Sequence, residues 1–143
     1  MNSLAPIPFN DLSRTPEDLL ARIQDAASTV ISSGWFVMGP EHNALESELA
    51  RYVGVSEAIN VANGTDALQL ALAALGVEAG DLVVTVANAG GYTSIAARLL
   101  GAIPAYCDVD EQTHLMSAAT LRACLENVST VPKAIVATHL YGA

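Results

Sequence analysis

The stretch richest in chemical possibility runs Ala58-Ile59-Asn60-Val61-Ala62-Asn63-Gly64-Thr65-Asp66-Ala67-Leu68. An apolar run stops, a glycine permits a tight turn, and a hydroxyl residue opens an Ala/Leu-rich helix. The first N–H groups of a helix have no partner inside it, and the helix dipole favours negative charge at that end. Gly64 lets a ligand approach the backbone closely, and the Thr65 hydroxyl adds a donor. The chemistry on offer is capture of one phosphate or carboxylate. Neither a Walker loop nor a dinucleotide turn is present, since the GKS/T signature and the glycine triplet are both missing. Asn63, Thr65 and Asp66 are also favoured helix caps, so plain capping accounts for the same residues. The two readings are compatible, because a bound anion can replace or supplement a cap.

Other reactive side chains are sparse. Asp108 and Asp110 follow a strand-like run without companion ligands, which reads as a loop rather than a metal pair. His139 ends an apolar run, where it could face a crevice or serve as a hydrogen-bonded structural residue. His42 and His114 read as exposed. Cys107 and Cys124 have neither metal-ligand nor CxxC spacing and read as buried, reduced thiols. Trp35 and Phe36 fall in a loop, where they suit a substrate or subunit contact or packing over the core. Lys133 is the sole lysine of the chain and reads as a solvated residue ahead of a strand. No catalytic residue and no metal ligand is assigned.

The elements that must position these residues come in two stretches. Thr15-Pro16-Glu17-Asp18 is a helix start, with Thr as cap, Pro in the first turn and acids at the positive end of the dipole. Leu19, Leu20, Ile23, Ala27, Val30 and Ile31 recur at helical spacing until Ser33-Gly34. A second helix runs from Pro40, with Leu45, Leu49 and Tyr52 on one side, to Gly54. Strands and helices then alternate. Strands are expected at 58–62, 82–86, 103–107 and 133–139, and helices at 65–75, 93–100 and 117–127, the last with Leu121, Cys124 and Leu125 inward. Such alternation predicts parallel strands joined by helical crossovers, in a sheet covered on both faces. The expected division is a helical segment, 1–54, and an α/β segment, 55–143. The final strand has no helix after it, which reads as an α/β domain incomplete at its C-terminus.

Composition narrows the classes. Of 143 residues, 52% are hydrophobic and 15% charged, which excludes a disordered chain. Net charge is −9 and the six basic residues are scattered, so no basic stripe exists for nucleic acid. No apolar run reaches the roughly 20 residues of a membrane span. Met1–Asn10 lacks the basic and apolar regions of a signal peptide. A cytoplasmic protein is expected.

The motifs resemble a specific family. Asn63-Gly64-Thr65-Asp66-Ala67-Leu68-Gln69-Leu70-Ala71-Leu72 is similar to the phosphate cup of the DegT/DnrJ/EryC1/StrS family, sugar aminotransferases of fold type I. Ser33-Gly34-Trp35-Phe36-Val37-Met38-Gly39-Pro40 resembles the family's segment before its second helix. Leu75-Gly76-Val77 with Gly80-Asp81-Leu82-Val83-Val84, Gly101-Ala102-Ile103-Pro104 with Asp108-Val109-Asp110, and Lys133-Ala134-Ile135 with His139-Leu140-Tyr141-Gly142 follow in the family's order. The matches run from about Pro8 onward. The resemblance implies a three-layer α/β/α fold with a mostly parallel sheet, the first part of an aspartate aminotransferase-like large domain. It implies pyridoxal 5'-phosphate as cofactor, a nucleotide-linked keto-sugar as acceptor, an amino donor such as glutamate, and a homodimer. Gly64 and Thr65 would hold the cofactor phosphate, with the Asp66 amide as a third donor. The family lays an aromatic ring on the pyridine. Gly90 stands at that position here, and Tyr92, two residues on, is offered for stacking or, equally, as a core tyrosine.

The resemblance also implies a lysine that joins the cofactor covalently and a carboxylate on its ring nitrogen, both later in the family's sequence. Lys133 matches the family's lysine before a strand, not the catalytic one. Alternatives stand beside the aminotransferase reading. They are an inactive remnant or interaction subunit, a dehydratase on the same scaffold, and an unrelated phosphate-binding α/β module.

Overall fold

The computed structural model describes Ile7, Pro8 and residues 10–143. The targeting-signal reading of Met1–Asn10 lies largely outside them. Two compact units are present, Met1–Asn60 and Val61–Ala143.

The first unit holds two helices, α1 (Glu17–Ser33) and α2 (Pro40–Val53). Gly34 and Gly54 end them in the left-handed conformation, as the sequence predicts. The start of α1 differs by one residue. Pro16 is the N-cap, and the Thr15 hydroxyl instead donates to the Leu12 carbonyl of a preceding 3-10 turn. The apolar residues of α1 are left largely open, Ile23 at 52% and Ile31 at 67% exposure. The strand expected at 58–62 does not form. Among the described residues no strand pairs with it, and one of its backbone N–H groups is used elsewhere. Asn60 donates its N–H to Glu46 Oε1 (2.8 Å) and its side-chain amide to the His42 carbonyl (3.2 Å), both on α2.

The second unit is an α/β fold. Its order is α3 (Gly64–Ala74), β1 (Leu82–Val86), α4 (Tyr92–Leu99), β2 (Ile103–Cys107), α5 (Ala118–Asn127) and β3 (Ala134–Ile135). All pairings are parallel, in the order β2-β1-β3. The β-branched run Val83-Val84-Thr85-Val86 fills the central strand and is buried to within 2% on both faces. Val83 packs with Leu72 of α3, Ala96 and Ala97 of α4, Val77, Ala102 and Ala134. The two small alanines let α4 lie close to the sheet.

Alternation along β2 shows which face each helix covers. Tyr106 meets Ser94 of α4 at 2.8 Å, whereas its neighbour Cys107 meets Thr120 of α5 at 3.7 Å. So α4 and α5 cover opposite faces. The edge strand β2 is less covered than β1, with Ile103 and Tyr106 more than half exposed. On α5, Leu121 and Cys124 are half-buried but Leu125 is exposed, so the inward stripe is narrower than expected. A reciprocal capping box between Ser117 and Thr120 fixes the start of α5.

The last strand is shorter than the expected 133–139. Hydrogen bonds to β1 run only from Lys133 N–H (to Leu82 O) to Val136 N–H (to Val84 O). After Val86 the partner strand turns into a 3-10 turn, Ala87–Ala89, and residues 137–139 find no ladder.

Thr85 shares the α3/α4 face with Val83 and is 1% exposed, yet its hydroxyl has no hydrogen-bond partner. An unpaired buried hydroxyl is destabilising, and an isosteric apolar replacement removes that cost. Thr85→Val should therefore raise unfolding stability by about 1 kcal/mol in urea titrations; a lowered midpoint would show that the hydroxyl has a partner.

Candidate functional site

The site is set by topology. The carboxyl ends of α3 and α4 both reach the amino edge of the sheet. There Gly80 N–H donates to Gly101 O, and Ile103 N–H to Asp81 O. The two helices pack along each other, so both N-termini lie at the carboxyl edge of β1. That edge is also the switch point, because β2 and β3 leave β1 on opposite sides. Ligands in open α/β sheets sit in the crevice at such a point.

At the start of α3 the cap is real. Asn63 Oδ1 accepts the Asp66 N–H at 3.0 Å, and the Asn63 amide donates to Asp66 Oδ2 at 3.0 Å. This leaves the Gly64 and Thr65 N–H groups and the Thr65 hydroxyl without protein partners among the described residues. Nothing lies within 4 Å of where a Cβ on Gly64 would stand, so the space over the helix start is open. The arrangement presents two amides, one hydroxyl and the positive end of a helix. The Asp66 amide is engaged by the cap, so an anion would take it only by displacing Asn63.

Tyr92 opens α4 and is 61% exposed. Gly90 has φ 69° and ψ −178°, a conformation essentially restricted to glycine. A Cβ on residue 90 would stand 2.9 Å from Tyr92 Cε2 and 3.2 Å from Cδ2. The Tyr92 ring thus fills the volume into which a side chain at 90 would grow. The sequence shows the Gly90 and Tyr92 residue types but not this folding-back.

A second loop is tied to the same edge. Asn88 donates its side-chain amide to the His114 carbonyl at 2.8 Å, linking the turn after β1 to the loop after β2. Asp110 Oδ1 accepts the N–H groups of Thr113 (2.9 Å) and Gln112 (3.0 Å). These bonds, the Thr113 backbone first, hold the Asp110 carboxyl below the ordinary aspartate range. It acts as a turn-former, and the exposed His114 closes the turn at φ 57°. Among the described residues no cluster of three His, Cys, Asp or Glu could hold a metal ion. No described helix is long and apolar enough to cross a membrane.

The remaining residues fall elsewhere. Lys133 is exposed, with Nζ 3.7 Å from the Cβ position of Gly76, just past the carboxyl end of α3. An ammonium suits that end of the dipole, but a helix of 11 residues, roughly 16 Å, separates it from Thr65. His139 Nδ1 lies 2.8 Å from the Ala143 carbonyl and is exposed. In the first unit His42 pairs with Glu46 at 3.1 Å. Trp35 and Phe36 stay exposed beside a cavity of about 180 Å³, and the indole N–H donates to Val37 O.

The model of the DegT/DnrJ/EryC1/StrS aminotransferase family matches residues 17–143, including both helix starts of the site. The chain belongs to this family. It is 40% identical, over 85% of its length, to a dTDP-3-amino-3,4,6-trideoxy-alpha-D-glucose transaminase of Micromonospora megalomicea subsp. nigra. A crystal structure of a family aminotransferase from Brucella abortus superposes with a TM-score of 0.85 at 33% identity over 96% of this chain. NtdA of Bacillus subtilis, solved with bound cofactor PMP, gives 0.84 at 29% identity over 98%. The chain spans about a third of the length of these relatives, 32% of the first and third and 38% of the second.

Two outcomes follow. Gly90→Ala should destabilise by roughly 1–3 kcal/mol from its backbone alone, and by more when Tyr92 is present. In a double-mutant cycle with Tyr92→Ala the two changes should couple, and additive effects in urea unfolding would place the ring elsewhere. The lowered Asp110 pKa means its contribution is full above the ordinary aspartate pKa. It is lost only as pH falls through the lower folded value. The Gln112 and Thr113 amide resonances should shift together in that acid range; amides that stay fixed there would count against the turn.

Proposed function

We propose that the chain provides the phosphate-holding and ring-covering part of a pyridoxal 5'-phosphate-dependent aminotransferase acting on a nucleotide-linked keto-sugar, with an amino donor such as glutamate. The observation that carries this reading is the unpartnered Gly64 and Thr65 amides and Thr65 hydroxyl at the same sheet edge as Tyr92. They fit a phosphate, being two donor-only amides and a hydroxyl that can donate, at a helix N-terminus with open space above. Family membership, the sugar transaminase relative and the PMP-bound relative point the same way. The cofactor, when bound, supplies an electron-withdrawing ring on which an amino group is exchanged.

Each residue has a bounded task. Gly64 and Thr65 anchor the phosphate. Asn63 and Asp66 keep the helix start rigid, so the amides stay aimed without a ligand. Tyr92 covers a flat ring and shields it from water. Residues 55–143 would form the first part of the cofactor-binding domain, following a helical segment at 1–54. The working enzyme would be a cytoplasmic homodimer, and the exposed apolar residues of α1 fit a buried subunit face.

The position of Lys133 favours a second reading for the 143 residues alone, in which they hold the cofactor without transferring an amino group. Pyridoxamine phosphate, which cannot react with lysines, tests the site in equilibrium dialysis. It should bind, pyridoxamine without the phosphate should not, and Thr65→Val should weaken binding roughly ten-fold, the worth of one hydrogen bond to a charged group. Equal binding of both pyridoxamines would overturn the phosphate site.

A further inference from the structure

The two cysteines take no part in the site above, yet they meet across one packing contact. Cys107 is the last residue of β2 and is 2% exposed. Its thiol points to the α5 face, where Sγ lies 3.7 Å from Thr120 Oγ1 and 3.2 Å from its neighbour's carbonyl, Asp108 O. Cys124 sits one turn beyond Thr120 on α5, and its Sγ lies 3.7 Å from the carbonyl of Tyr106, the residue before Cys107. Each thiol therefore lies against the residue next to, or one turn from, the other. Cys124 is only half-buried, against the sequence expectation of two buried thiols. A cavity of about 700 Å³ opens beside it, lined also by Tyr106, Asp108, Glu111 and Thr120. An oxidant reaches Cys124 from that cavity but cannot reach Cys107 directly.

We propose that Cys107 and Cys124 form a reversible intramolecular disulfide under peroxide, clasping α5 to the carboxyl end of β2. The Cys124 sulfur attacks the peroxide O–O bond, giving a sulfenic acid and one water from hydrogen peroxide. The Cys107 sulfur then attacks the sulfenic sulfur. The S–O bond breaks, an S–S bond forms, and the departing hydroxide takes the Cys107 proton as a second water. The two thiols lose two electrons, which the peroxide accepts, and a dithiol reductant reverses the step. Burial, then the charge and hydrogen bond of Cys107, then Asp108, push the Cys124 thiol up, which keeps the first step slow at neutral pH. The bond would close the segment from Asp108 to Ala123, which contains the Asp110 turn tied to Asn88.

The proposal does not rest on the aminotransferase reading. The folded, reduced 143-residue chain is treated with hydrogen peroxide, quenched by a thiol alkylator and mapped by mass spectrometry without reduction. The expected result is a Cys107–Cys124 cross-linked peptide from monomeric protein, both cysteines lost to alkylation, and recovery of both by dithiothreitol. In Cys107→Ser, Cys124 should accumulate as a sulfenic acid trapped by dimedone. In Cys124→Ser, Cys107 should stay alkylatable only on unfolding. Oxidation of Cys124 to a sulfinic acid with Cys107 untouched, disulfides only between chains, or no loss of thiols would each overturn the clasp.

Discussion

The second unit depends on the burial of one strand. Four consecutive residues of β1, Val83 to Val86, are shielded on both faces, and the strand takes a parallel neighbour on each side. A parallel neighbour requires the chain to cross back over a face of the sheet. Crossing to one side through α4 and to the other through α5 opens a crevice at the carboxyl edge of β1. The same requirement sets the direction of the helices. Because α4 must return to the amino edge and α3 packs beside it, both present their N-termini at that crevice. The open donors there come from strand pairing and helix direction, since no basic residue is placed at the start of either helix.

That origin matters for the electrostatics. The chain carries a net charge of −9, so any anion reaching that edge would come against the overall field. At 0.15 M salt that field is screened beyond about 8 Å, and the contact is decided by local dipoles. Asn63 protects them by tying up the Asp66 carboxylate and amide together. Without that restraint the nearest negative charge would be free to swing over the two open amides.

Local features were legible in the sequence, whereas features needing a distant partner were not. The spans of β1 and β2 and the glycine stops of α1 and α2 follow from short-range rules, namely β-branched runs and left-handed caps. The 58–62 run has the composition of a strand, but a strand exists only when another pairs with it, and Asn60 is bonded to α2 instead. Residues 137–139 fail for the same reason, since β1 turns away after Val86. The start of α3 at Gly64 and Thr65 was legible because helix starts have a residue signature. The packing of Tyr92 over Gly90 was not, because it depends on a backbone angle that sequence spacing does not encode.

Gly90 and Tyr92 act as one packing unit, the ring at 92 filling the space that a side chain at 90 would take. With a side chain at 90, an aromatic there would rise directly from the turn. With glycine, the backbone enters a region closed to other residues, and the ring two positions later folds into the vacated space. The aromatic surface is thereby carried on the first turn of α4. There it is held by a helix packed on the core through Ala96 and Ala97, whereas residue 90 belongs to a turn fixed mainly by Asn88. A ring mounted on a helix loses less order when the turn moves.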